Sequence, residues 1–522
     1  MAEPSGAPAP ASPPPLEGGV RLLATLAVSS ATFMNVLDTS IANVSIPAIS
    51  GDLGVSPNQG TWVITSFAVA NAISVPLTGW LTERFGQVRL FLATTFLFVA
   101  ASLLCGMATS MGMLVTFRII QGAVAGPMVP LSQTLMLSTF PREKSGMALA
   151  VFAVTVMVAP VVGPLLGGWI TDNFSWPWIF FINVPVGLFS VALTWTLYAS
   201  RETPRKKRPI DGVGLALLIV WVGSLQLMLD KGKDLGWFDS GAILGLAAAA
   251  LVGFCVFLAW ELTDEHPVVD LRLFARRNFA IGSLSISLAF GVYFGSLVLL
   301  PLWLQQYMGY TATDAGWVLA PVGLLALTLT PVVGRTLNRF DPRLFSTVSM
   351  LLFALVFWMR SKFSTEADLE ALMIPTIIQG AAISCFFIPL VSLALSGLRP
   401  DQIAGATGLN NFVRLTVGAF GASLSTTLWE SRAALHHTRL VERATLYDPV
   451  TRDALQGFGS LGFSPEQAYG YLNRLIDVQS FTLAALDLFY ASAILLLLII
   501  PLVWLARPPR AGLSGGAGAG AH

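Results

Sequence analysis

Apolar stretches of membrane-crossing length recur along the entire chain, and this constrains the fold more than any other feature. About twenty mostly apolar residues suffice to cross a bilayer as a helix. Such stretches fall at roughly 21–47, 59–81, 89–109, 112–138, 146–170, 178–200, 212–230, 240–262, 279–305, 314–335, 343–362, 369–395, 404–428 and 480–506. They are numbered spans 1 to 14 below. Soluble domains carry roughly 25% charged residues, whereas this 522-residue chain carries 11% and is 54% hydrophobic. Lipid offers no hydrogen bonds, so each span must satisfy its own backbone, and a helix does so. The expected fold class is therefore all-α integral membrane.

Charge then sets an orientation. With fourteen spans both ends lie on one side, and the two sets of connecting segments carry very different charge. One set holds nineteen of the thirty Lys and Arg, including Arg142 and the run Arg205-Lys206-Lys207-Arg208. The short loops of the other set hold four: Lys231, Lys233, Arg360 and Lys362. Cytoplasmic loops carry the excess of Lys and Arg, so both termini are expected inside and the long 429–479 segment outside, packed as short helices. The Pro/Ala/Gly-rich ends, 1–20 and 507–522, read as disordered tails. A net charge of +1 gives no reason to expect a nucleic-acid partner. Cys105, Cys255 and Cys385 lie in apolar stretches and read as packing residues. His436 and His437 are adjacent and cannot share a helix face, so a metal site is not expected.

The chain also repeats itself. Ile119-Ile120-Gln121-Gly122-Ala123 recurs as Ile377-Ile378-Gln379-Gly380-Ala381, 258 positions on. Gly79 with Glu83-Arg84-Phe85 recurs as Gly334 with Asn338-Arg339-Phe340, and Gly163 matches Gly421. The offset equals eight spans, an even number, so the copies run parallel. Two parallel six-helix halves are the architecture of the major facilitator superfamily. The expected domains are an N-terminal half (21–200), an inserted helix pair with its flanking loops (201–278) and a C-terminal half (279–506).

Further motifs resemble one branch of that superfamily, the EmrB-type fourteen-span drug/proton antiporters. Span 1 carries Leu37-Asp38-Thr39-Ser40-Ile41-Ala42-Asn43-Val44-Ser45-Ile46-Pro47. Span 5 carries Pro160-Val161-Val162-Gly163-Pro164-Leu165-Leu166-Gly167-Gly168, similar to the antiporter motif, with Ala159 where a Gly usually begins it. Span 6 opens Trp178-Ile179-Phe180-Phe181-Ile182-Asn183-Val184-Pro185. The loop after span 2 has Gly79, Leu81, Glu83, Arg84 and Gly86 of the gating motif, but Gln87 and Val88 replace its usual basic residues. Gln479 and Asp487 also fit the branch. The resemblance implies export of amphipathic drug-like molecules from the bacterial inner membrane, with a proton as coupling ion and no cofactor. It further implies a periplasmic adaptor with an outer-membrane channel, and gating or hinge roles for Gly79, Glu83, Arg84, Gly86, Pro160, Gly163, Pro164, Gly167 and Gly168.

Among single residues Asp38 is the most informative. A carboxylate deep in a span is costly and usually serves an ion or proton path, although it can instead cap a broken helix. Arg118 is its natural partner: it lies about 9 Å and Asp38 about 13 Å from the outer ends of their spans, at 1.5 Å per residue. Alone, Arg118 could snorkel outward. Its counterpart in the repeat is Thr376. Asn35, Asp38 and Ser45 share one helix face and are expected to line a polar cavity. Gln121, Gln379, Asn410, Asn411 and Arg414 are further cavity candidates, although Arg414 could equally bind backbone carbonyls. The span 5 glycines also permit close helix packing. No span carries a His or an H-E-x-x-H set, so an enzyme is not expected. The alternatives on the same scaffold are an exporter of one metabolite and an importer.

Overall fold

The computed structural model of the chain describes residues 16–507 except 56, 142, 143, 206–208, 210, 266, 311, 338, 400 and 401. Within the helices, the side chains of 44, 57, 58, 157, 160, 161, 164, 165, 172, 312, 313 and 324 also fall outside the description. Most of both tails, Arg142, the basic run 206–208, Asn338 and the side chains of Pro160 and Pro164 therefore lie outside the described residues.

All fourteen apolar stretches are helical, and the described residues contain no strand. Spans 1, 3, 5 and 6 are Gly18–Asp52, Gln87–Gly106, Ser145–Asn173 and Asn183–Tyr198. Spans 7, 8, 9 and 11 are Gly212–Lys231, Gly241–Thr263, Arg277–Gln306 and Pro342–Arg360. Span 2 runs Trp62–Phe85 with a tighter turn at Val75–Leu77, where Pro76 removes a backbone donor. Span 4 breaks at Gly126-Pro127 into Met111–Ala125 and Met128–Thr139. Span 10 breaks before Val322 and span 12 between Ser384 and Phe387. Eleven helical stretches among the described residues are long and apolar enough to cross a membrane. Helix starts are capped by side chains: Asp211 accepts from the amide of Gly214, Asp341 from Arg343 and Asp368 from Ala371. Each cap satisfies an amide that the helix leaves free.

Two sequence expectations need correction. The 429–479 segment is largely an extension of its neighbours rather than a loop. Span 13 continues unbroken over Ile403–Val441, and span 14 already begins at Pro465 (Pro465–Trp504), with Pro449–Ser460 as a helix between them. The polar residues from Glu430 onward end the apolar stretch, but a helix leaving the bilayer needs no apolar surface. The two extensions hold each other. Trp429 Nε1 donates to Phe481 O at 2.8 Å, Tyr307 stacks on Phe481, and Arg432 and His436 both meet Asp487, at 3.0 and 2.9 Å. The second correction is Arg360, expected in a loop but fully buried in the last turn of span 11.

The halves join near the face that carries both chain ends. Span 2 crosses span 13 where Gly79 meets Gly405, and span 10 crosses span 5 where Gly334 meets Gly146. A Cβ on Gly79 would lie 2.7 Å from Gly405 Cα, and one on Gly146 would lie 2.2 Å from Gly334 O. The repeated glycines Gly79 and Gly334 are therefore equivalent crossing points, each requiring bare backbone. Span 7 lies along this seam and touches both halves. Trp221 packs edge-on against Phe412, Thr65 donates to Asp230 at 2.6 Å, and Ser423 donates to Leu229 O at 3.0 Å.

Candidate functional site

Each half encloses a polar cluster. In the first half Asp38 and Arg118 are fully buried and form a direct ion pair, with Arg118 Nη1 donating to Asp38 Oδ2 at 2.5 Å. The other carboxylate oxygen, Oδ1, accepts from Asn183 Nδ2 at 2.9 Å and Gln121 Nε2 at 3.2 Å. Arg118 also donates to Gln121 Oε1 at 2.7 Å and, through Nε, to Val63 O at 2.9 Å. Its guanidinium lies over the Phe67 ring at 4.2 Å. Ser102 accepts from Asn183 at 3.0 Å and donates to Phe180 O. Spans 1, 2, 3, 4 and 6 thus converge on one carboxylate. Charges this close and this dry interact far more strongly than in water.

Glycines bring span 5 against the same place. A Cβ on Gly163 would lie 1.9 Å from Ser40 Oγ, and one on Gly167 2.8 Å from Ile41 O. Gly168 follows in the same helix. Gly86 has a left-handed φ of +88° and sits against Glu202. The Glu202 carboxylate accepts from the amides of Val88 and Arg89, at 3.1 and 2.9 Å, and so caps span 3. Arg84 stacks over Trp80 in the same motif, and Glu83 is its chain neighbour there.

The second half builds its cluster at the same positions with different chemistry. Asp38, Ser102, Arg118 and Gln121 become Ser296, Arg360, Thr376 and Gln379, each 258 positions on. Arg360 donates to Ser296 Oγ and Thr376 Oγ1, both at 3.2 Å, and to Gln379 Oε1 at 2.6 Å. Its Nε is buried without a partner, and among the described residues no carboxylate contacts it. The arginine has moved from span 4 to span 11, and the carboxylate is gone. Applying the repeat offset to Ser102 points straight to Arg360, and Asn183 stands inside the span 6 motif.

Between the halves lies a small cavity of about 20 Å³. Leu149, Phe152 and Val156 of span 5 line it with Gln133 of span 4, facing Phe387 and Val391 of span 12 and Asn410, Asn411 and Arg414 of span 13. Asn411 donates to Gln133 across the seam at 3.2 Å, and Asn410 donates to Ser283 at 2.8 Å. Four expected cavity residues sit elsewhere. Asn35 is turned inward to Ala125 O, Ser45 pairs with Thr171, and Gln121 and Gln379 serve the two arginines. Their polar groups found partners inside a half, so the shared face of Asn35, Asp38 and Ser45 is packed rather than open. The outer histidines are paired with carboxylates, His436 with Asp487 and His437 with Asp477 at 3.4 Å.

Two six-helix bundles closing on buried polar clusters, with a cavity on their seam, define a membrane transporter. The chain belongs to the major facilitator superfamily, in its EmrB-type branch. The model of the Major Facilitator Superfamily matches residues 28–422. Multidrug export protein EmrB of Haemophilus influenzae is 50% identical over 497 residues, covering 95% of this chain and 98% of that one. The protein of the same name from Escherichia coli K12 is 49% identical, covering 97% and 99%. Fatty acid resistance protein FarB of Neisseria gonorrhoeae is 48% identical, covering 96% and 99%. In fold, the chain is similar to the crystal structure of the human organic anion transporter MFSD10, with a TM-score of 0.57 at 14% identity over 92% of this chain and 99% of that one.

Proposed function

We propose that this protein is a proton-driven multidrug exporter that works by alternating access in a bacterial inner membrane, with both termini cytoplasmic. The near full-length relatives named for multidrug export support the activity, and the charge asymmetry of the loops supports the orientation. On that orientation the glycine crossings close the cytoplasmic side.

The observation that carries the reading is the buried Asp38–Arg118 pair. Asp38 is the proton carrier. Ionised, it holds spans 1 and 4 together through Arg118, which stays charged because an arginine effectively does not titrate. Taking up a proton from outside removes the charge Arg118 is paired with and loosens that contact. The halves then rock, the proton leaves to the cytoplasm, and the re-formed pair resets the first half. Amphipathic drug-like molecules enter along the seam as the halves part there, and the outer extensions of spans 13 and 14 offer a surface to a periplasmic adaptor leading to an outer-membrane channel. Proteoliposomes given a pH gradient and a panel of dyes test the reading: the parent should concentrate dye and Asp38→Asn should not. Gradient-driven accumulation by Asp38→Asn would remove Asp38 from the carrier role.

A further inference from the structure

One buried carboxylate takes no part in the clusters described above. Glu261 lies in the last turn of span 8, towards the face that carries both chain ends, and is fully buried. Its Oε2 accepts from the amide of Val269 at 3.1 Å, but its Oε1 is buried with no partner. A second carboxylate faces it. Asp211, at the start of span 7, is 9% exposed. Its Oδ1 accepts from the Gly214 amide at 2.8 Å and its Oδ2 from Trp260 Nε1 at 2.9 Å. A Cβ on Gly214 would lie 2.1 Å from Asp211 Oδ2 and 2.7 Å from Glu261 Oε1, so the two oxygens meet over one bare glycine. The charged groups that act on Glu261 are themselves acidic: Asp211, and Asp264 just past span 8. Arg272 of the following linker turns instead to the Asp264 carbonyl, at 3.0 Å. Among the described residues no Lys or Arg contacts Glu261. Two anions facing each other in a dry site repel, and burial without a cation adds to the cost.

We propose that Asp211 and Glu261 together bind one proton, and that this proton latches the linker between spans 8 and 9 onto the inserted helix pair. With the proton on Glu261 Oε1, that oxygen becomes a donor to Asp211 Oδ2, which has a lone pair left after accepting from Trp260. Glu261 Oε2 goes on accepting from Val269. Val268 and Val269 are buried in one apolar cluster with Leu218 of span 7, Phe257 of span 8 and Phe279 of span 9, so the linker ties the inserted pair to the second half. Loss of the proton leaves two anions face to face. Turning Glu261 towards water relieves their repulsion and breaks the Val269 contact. The latch therefore holds at low pH and gives way as pH rises, because the docked form keeps a proton that the released form gives up. The site lies apart from the Asp38 pair and works whether or not Asp38 carries the coupling proton.

Hydrogen exchange over residues 267–275, in the full chain in nanodiscs from about pH 6 to pH 9, reads the latch. Glu261→Gln keeps the shape and a donor for Asp211 but cannot ionise. The ratio of parent to variant at each pH cancels the pH dependence of the exchange chemistry itself. The two should exchange alike at the acid end. Towards the alkaline end the parent should exchange faster, by up to about tenfold per pH unit, the limit for an opening that releases one proton. Asp211→Asn removes the facing charge and can still cap span 7, and it should shrink that rise. A ratio that stays level across the range would overturn the proposal. So would a rise that Asp211→Asn leaves unchanged, since Glu261 would then titrate without its partner. Faster exchange across the whole chain in both variants, with no local pH effect, would make the two residues structural only. Suppression of the rise by magnesium chloride, but not by choline chloride of equal ionic strength, would make the ligand a metal ion and overturn the proton assignment.

Discussion

The glycine crossings give a prediction whose sign depends on which partner is changed. Gly79 and Gly405 touch, but their Cβ positions are not equivalent. A methyl on Gly79 would lie 2.7 Å from Gly405 Cα, whereas one on Gly405 comes no nearer than 3.7 Å to Gly79 Cα. Gly79→Ala must therefore push backbone away, while Gly405→Ala makes an ordinary contact. Gly146→Ala would meet Gly334 O at 2.2 Å and behaves like Gly79→Ala. Overpacking typically costs about 1–3 kcal/mol. Here the cost falls only on the state with the halves closed at this face, so the equilibrium should move away from it by about 5- to 150-fold. Phe85 and Phe340 are exposed and related by the repeat, which makes Phe85→Cys and Phe340→Cys suitable label sites. Spin-label distances between them, with Cys105, Cys255 and Cys385 replaced, read the separation of the halves. Gly79→Ala and Gly146→Ala should populate longer distances, and Gly405→Ala should match the parent. The same shift in Gly405→Ala, or none in the other two, would refute the steric argument.

Four further outcomes are expected. Arg118→Ala leaves Asp38 buried without its cation, so thermal unfolding in detergent should register a loss of about 3–5 kcal/mol, largely restored by adding Asp38→Asn; a double variant no more stable than the single one would deny the coupling. Ser296→Asp would put a carboxylate beside Arg360 at the place Asp38 holds in the first half and should raise the Tm, because the Arg360 charge is already buried and lacks a counter-charge among the described residues. Gly86→Ala should destabilise more than Glu202→Ala, because its Cβ would lie 2.4 Å from Glu202 Oε1 at a left-handed φ, whereas losing the cap alone costs about 1 kcal/mol; thermal unfolding compares the two. Cysteine replacing exposed Ser460 should react with an impermeant thiol reagent on spheroplasts, and cysteine replacing Arg205 should not; reversed labelling would overturn the orientation.

The helices were legible because lipid demands them, and the parallel halves because the Ile-Ile-Gln-Gly-Ala repeat preserves their spacing. The contact between Asp38 and Arg118 was legible from depth: two charges at one level of one half have few other partners. Which face of span 1 is open was not. Helical spacing puts Asn35, Asp38 and Ser45 together, but cannot say whether their hydrogen bonds go to a cavity or to Ala125 and Thr171. Arg360 was misplaced because it ends an apolar run and is followed by Ser361 and Lys362. Hydropathy draws the span to 362 and the charge count gives Arg360 to the loop beyond it, while the structure tucks the guanidinium against Thr376 and Gln379. The outer helices escaped for a similar reason, since apolar content marks where a helix meets lipid and not where it stops.

The two halves share a backbone plan but hold their charges differently, and this bears on how the proposed proton coupling at Asp38 would govern a two-part machine. In the first half cation and carboxylate meet directly, so a proton on Asp38 changes the net charge of a sealed cluster from zero to plus one. In the second half Arg360 already sits at plus one with neutral partners, Ser296, Thr376 and Gln379. Among the described residues no carboxylate contacts it, and an arginine effectively does not titrate, so a proton does not switch its charge. The first half therefore has two electrostatic states and the second has one. Alternating access needs only that the bistable half change its fit against a fixed partner, and the seam supplies that fit through Gly79–Gly405, Gly146–Gly334 and Asn411–Gln133. Gln133 belongs to span 4, the helix that carries Arg118, so loosening Arg118 acts on a helix that also hydrogen-bonds across the seam to Asn411, the residue holding Arg414. The Asp38–Arg118 pair and the cavity are thus joined by a short series of named contacts, through one helix broken at Gly126-Pro127.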